Sequence, residues 1–95
     1  METVWVFDGG GHFASGVFTT RELAEAWIAG HKLTGTLSAY PLDTGLYDSA
    51  VARGFFKPKR PEHFEPQLIG RFSSACFDHY HYENGHSPSG GEIIE

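Results

Sequence analysis

The sequence predicts one small α+β domain: an N-terminal β-hairpin, a capped helix, a third strand, a short helix and short C-terminal strands, in the order ββαβαββ with a mostly antiparallel sheet. Three observations predict it. Two β-rich runs flank a glycine cluster near the start, a helix-start signal with helical periodicity follows, and the period then switches to two. A chain of 95 residues has room for one core and no second domain, so residues 1–83 read as the domain and 84–95, rich in Gly, Ser and Pro, as a flexible tail.

Val4-Trp5-Val6-Phe7 is apolar on both faces, as a strand covered on both sides or placed centrally would be. Asp8-Gly9-Gly10-Gly11 breaks it, and Phe13 to Phe18 returns as the hairpin partner, with Gly16 marking a bulge or a close approach. Thr19 then reads as an N-cap, with Glu22 completing a capping box and Phe18 and Leu23 forming a hydrophobic staple. From there Leu23, Ala24, Trp27, Ile28 and His31 form an apolar stripe that packs on the hairpin. Leu33, Gly35, Leu37 and Ala39 alternate with Thr34, Thr36, Ser38 and Tyr40, which is a strand with one buried face, ended by Pro41. Asp43 or Thr44 can cap a short helix through Leu46, Tyr47, Ala50 and Val51, closed by Gly54. The proline-rich stretch 57–66 reads as an extended connector, and Gln67 to Phe72 and Phe77 to Glu83 as two further strands.

The stretches GVFTTRELAEAWI (16–28), LTGTLSAYPLDTGLYD (33–48), FFKPK (55–59) and FSSACFDHYHYENG (72–85) resemble a family of small bacterial proteins classed as a domain of unknown function. The resemblance covers most of the chain. It implies a compact bacterial domain and assigns no catalytic residue, ligand or cofactor.

Composition narrows the function classes. The start, METVWVFDGG, has no basic stretch followed by a long apolar one, and no apolar run approaches the ~18 residues of a membrane span, so secretion and a membrane location are disfavoured. A single cysteine, Cys76, allows no disulfide within the chain and fits a reducing cytoplasm. Seven Lys and Arg against twelve Asp and Glu give a net charge of −5, which disfavours a general nucleic-acid binder. Eight Phe, four Tyr and two Trp exceed what one small core easily encloses, so some are expected at a groove or interface.

Two function classes compete for the same C-terminal residues. The first is a noncatalytic protein-interaction module in which Tyr80, Tyr82, Phe55, Phe56 and Phe64, with Trp5, form the contact surface. Its partner would be a basic protein or a second copy of the chain, and an immunity or inhibitor role against a basic enzyme fits that charge and size. The second is a metal-binding protein or metal-dependent enzyme. Strand alternation across 77–83 puts His79, His81 and Glu83 on one face, with Asp78 or His86 as further donors. Alternate histidines on a strand are more often plain surface residues, so the contact reading ranks higher and no cofactor is assigned. Three weaker motifs read as structure. The loop Asp8-Gly9-Gly10-Gly11-His12 leads into a strand rather than the helix a phosphate cradle needs, and Lys57, Lys59 and Arg60 form a solvated loop that can meet an acidic partner or a phosphate. Ser73, Ser74 and Cys76 near His79 lack the setting of an activated nucleophile.

Overall fold

A computed structural model describes residues 2–87. Its elements are β1 (Thr3–Asp8), β2 (Gly16–Phe18), α1 (Arg21–His31), β3 (Gly35–Pro41), α2 (Leu46–Ala52), a 3₁₀ turn (Pro61–Phe64), α3 (Pro66–Gly70), a second 3₁₀ turn (Ser74–Cys76) and β4 (His79–Tyr82). The strands form one sheet in the order β2-β1-β3-β4, with every neighbouring pair antiparallel. The α+β class is therefore as the sequence suggests, and the doubly apolar β1 is indeed an internal strand. Because β2 and β3 both run antiparallel to β1, α1 is the crossover that carries the chain from one side of β1 to the other.

Register decides which side chains meet α1. Trp5 stands opposite Phe18 and Ala39, Phe7 opposite Gly16 and Leu37, and Leu37 opposite Tyr80, so these residues share a face. Phe7, Leu37 and Tyr82 are buried there with Ala24 and Ile28 of the helix, and Trp5, Phe18, Trp27, Leu33 and Tyr80 pack around them. Trp27 meets Phe7 edge-on at 5.7 Å and Phe18 at 5.4 Å. Gly16 is the close approach its position suggests, since a Cβ there would lie 2.9 Å from the Phe18 ring and 3.1 Å from Trp27.

The differences from the sequence reading have local causes. β2 spans three residues rather than six, and Phe13 is 86 % exposed in the loop, which closes on itself through Gly10 N–H donating to Asp8 Oδ1 at 2.8 Å. The helix is capped one residue later than expected: Phe18 is held in the sheet opposite Trp5, so Thr20 Oγ1 accepts from Leu23 N–H at 3.2 Å. Glu22 is then not at the box position, and Leu23 is 57 % exposed rather than in the stripe. Gly45 takes the α2 cap without a side-chain bond, while Gly54 follows the helix with φ of 78° as read. In β3, Ser38 is buried along with Leu37 and Ala39, so the wetter face is covered at mid-strand.

The largest difference falls on residues 67–72, which form α3 and not a strand. Pro66 sits in the first turn, preset for the helix, and Ile69 N–H donates to the Glu65 carbonyl at 3.1 Å. The expected connector also folds back into a 3₁₀ turn, where His63 Nδ1 accepts from the backbone N–H of Lys59 at 2.9 Å and of Arg60 at 3.3 Å. Residues 84–87, read with the tail, form a turn in which Gly85 N–H donates to the Leu33 carbonyl at 2.8 Å and Asn84 N–H to Thr34 Oγ1 at 3.1 Å. Residues 88–95 lie outside the described part.

Candidate functional site

The strand that carries the histidines and tyrosines, β4, is the sheet edge opposite β2. Pairing of Leu37 with Tyr80 and Gly35 with Tyr82 turns both tyrosines toward α1, while His79 and His81 face the other way beside Ser38 and Thr36. Tyr82 is 5 % exposed and donates its hydroxyl to Glu25 Oε2 at 2.6 Å, so this expected contact residue belongs to the core. The same carboxylate oxygen accepts from Arg21 Nε at 3.2 Å, and the Arg21 guanidinium lies 3.8 Å from the centre of the Tyr80 ring, which also packs on Trp5 at 6.1 Å. Burial, then the Glu25 carboxylate, push the Tyr82 hydroxyl well above the ordinary phenol range. Burial works against the Arg21 charge, but its hydrogen bond to Glu25 and the nearby negative charge outweigh it and hold the guanidinium above its usual value. These groups join helix to strand, which is a structural role.

On the outer face the His79 and His81 rings lie 5.2 Å apart, nearly perpendicular. His79 Nδ1 is 2.9 Å from the Phe77 carbonyl, and His81 Nδ1 is 3.4 Å from Thr36 Oγ1. Glu83 lies beyond the strand in a bridge with His86. Among the described residues no three His, Cys, Asp or Glu side chains gather so as to hold a metal ion, so Glu83, Asp78 and His86 do not join the two imidazoles. Of the residues of the nucleophile reading, Ser73 has a structural duty, its Oγ accepting from Ala75 N–H at 3.2 Å, while Cys76 is an exposed free thiol.

Part of the aromatic surplus builds a second cluster, while Trp5, Tyr40, Phe55 and Phe77 line a concave surface. Tyr47 meets Phe72 edge-on at 5.7 Å and Phe56 at 5.9 Å, Phe56 meets Phe72 at 5.2 Å and His63 at 5.3 Å, and the Tyr47 hydroxyl donates to the His63 carbonyl at 2.9 Å. Phe56 is thereby half-buried and withdrawn from any contact surface. Phe55 packs on Phe77 at 5.6 Å, under Arg53, yet stays 50 % exposed. Phe64 is 61 % exposed.

Two concave surfaces lie near these exposed rings. One, of about 320 Å³, separates Thr3 and Trp5 of β1 and Ala39–Pro41 of β3 from Arg53, Phe55 and Cys76–Asp78. The other, of about 350 Å³, is a groove along α3 lined by Glu62, Glu65, Gln67, Leu68 and Arg71. Gln67, Leu68 and Arg71 are absent from the sequence-derived site because a strand would have separated them, and Glu65-Pro66 was the helix-start signal that places them together. Charge sets this region apart. Five of the seven Lys and Arg, namely Arg53, Lys57, Lys59, Arg60 and Arg71, fall between 53 and 71 against Glu62 and Glu65, so that segment carries +3 and the rest of the chain −8.

Fold and surface thus define a small α+β domain with two exposed phenylalanines, Phe55 and Phe64, on a basic segment in an otherwise acidic chain. The chain belongs to the family described as Domain of unknown function (DUF7710), which matches residues 4–88. No curated protein and no solved structure matches it. No helix among the described residues is long and apolar enough to cross a membrane.

Proposed function

We propose that this protein is a noncatalytic interaction module of the cytoplasm that binds an acidic segment of a protein partner through the face formed by the 3₁₀ turn 61–64 and α3. The observation that carries the reading is Phe64, a large apolar ring 61 % exposed within the stretch 53–71, which carries +3. Ile69 is also exposed, and Leu68 lies in the adjoining groove, so the face offers an apolar anchor inside a charged surround, as interface hot spots do. The overall charge of −5 favours a basic partner, but Lys57, Lys59, Arg60 and Arg71 flank this face in sequence, outnumber Glu62 and Glu65, and give the segment the opposite preference. The aliphatic Leu68 and Ile69 beside Phe64 suit a polypeptide better than stacked bases. The lone cysteine supports the reducing compartment.

The test compares wild type with Phe64→Ala and with the double variant Lys59→Glu, Arg71→Glu as bait in nuclease-treated lysate. A partner retained by wild type, displaced by salt and lost with either variant is expected, with affinity falling more than about tenfold for a hot-spot truncation. Retention of the same proteins by Phe64→Ala, or retention of nucleic acid alone when nuclease is omitted, would reject the reading.

A further inference from the structure

We infer that His79 and His81 form an open two-imidazole site for a borderline divalent cation such as Zn²⁺ on the outer face of β4. The inference is independent of the partner face on α3. Three observations lead to it, and none involves Glu83.

The first is the tautomer of His79. A backbone carbonyl can only accept, so the 2.9 Å contact from Nδ1 to the Phe77 oxygen requires Nδ1 to carry the proton. In the neutral ring the lone pair is then on Nε2, the nitrogen farther from the backbone, on an exposed residue. A ring nitrogen bound to a carbonyl while the other is left for a ligand is the arrangement that fixes the tautomer and orientation of metal-binding histidines. His81 is likewise exposed, with Nδ1 3.4 Å from the Thr36 hydroxyl, which can donate or accept.

The second is spacing. When the donor nitrogens of two imidazoles face one metal at ~2.0–2.1 Å and a tetrahedral angle, the ring centres lie about 5 Å apart. The two rings are 5.2 Å apart in the structure. The third is support. Both residues sit on a strand whose register is fixed, Ser38 to His79 and Thr36 to His81, so the pair is held by a ladder and not by a loop. Imidazole donors suit Zn²⁺, Cu²⁺ and Ni²⁺ and exclude hard cations such as Mg²⁺ and Ca²⁺ as natural occupants. With two protein donors, water fills the other positions.

The experiment is calorimetric titration of the untagged protein with Zn²⁺ in a non-chelating buffer, with Mg²⁺ as control and circular dichroism to verify each variant's fold. One Zn²⁺ per chain and no heat with Mg²⁺ are expected. His79→Ala and His81→Ala should each weaken binding by more than about tenfold, since loss of a direct ligand costs at least as much as loss of an outer-shell partner. His12→Ala and Glu83→Gln should leave it unchanged. Absence of Zn²⁺ binding to wild type, or binding that survives both histidine substitutions, would overturn the assignment. Equal weakening by Glu83→Gln would also do so, because it would make the site a three-donor one.

Discussion

Tyr82 shows how one residue's role is set by partners far away in sequence. Its hydroxyl bonds a carboxylate 57 positions away, and hydrogen bonds to charged groups contribute about 1.5–3 kcal/mol. Tyr82→Phe should lower stability at pH 7 by roughly that amount in urea unfolding. Its pH dependence follows from the raised phenol value. Below the unfolded value of about 10 both states keep the proton; above it the unfolded chain releases it first, so stability falls as pH rises until the folded-state value is passed. The variant should show a shallower alkaline decline, and an equal slope would show that the native environment does not hold the proton. Ser49 is the opposite case: its hydroxyl is buried without a partner among the described residues, so Ser49→Ala should raise stability by about 1 kcal/mol. The alternation of His and Tyr in 79–82 was legible as two faces. Which face lay inward was not, because that depends on Tyr80 meeting Leu37, a long-range pairing no local pattern contains.

At the level of elements, the strands and helices with strong periodicity were readable and their edges were not. The cap moved from Thr19 to Thr20 because the sheet claims Phe18, a tertiary demand on a local signal. Thr20→Ala should therefore cost about 1 kcal/mol of stability, and Thr19→Ala no more than a few tenths, when the two are compared by chemical unfolding. α3 was missed because six residues of mixed pattern do not separate helix from strand by period, so the proline at the first helical position had to decide. β3 begins at Gly35, where a Cβ would meet the Asp8 carbonyl oxygen and lie 2.7 Å from the Phe7 ring and 2.9 Å from Gly9 Cα. Backbone cannot yield as a side-chain tip can. Gly35→Ala is accordingly expected to destabilise by more than about 2 kcal/mol, measured as a drop in unfolding midpoint.

The whole molecule places its opposite charges in different stretches of chain and its aromatics in two clusters, and both facts bear on what sequence can tell. Counting aromatics showed a surplus over one core, but the second cluster of Tyr47, Phe56 and Phe72 absorbs part of it and leaves Phe13, Phe55 and Phe64 at the surface. The candidate face could not be read from net charge, since −5 overall conceals +3 across 53–71. The C-terminal part is tied to the N-terminal half at several points: Tyr82 to Glu25, Asn84 to Thr34, and Gly85 to Leu33, with Gly85 so close that a Cβ would sit 3.1 Å from Lys32 Cα. Synthesis runs the other way. Until β4 has left the ribosome, β3 has β1 on one side and an unpaired edge on the other. For that interval each nascent chain offers an open strand edge to its neighbours on the same message, and the speed at which residues 79–85 arrive sets how long the exposure lasts.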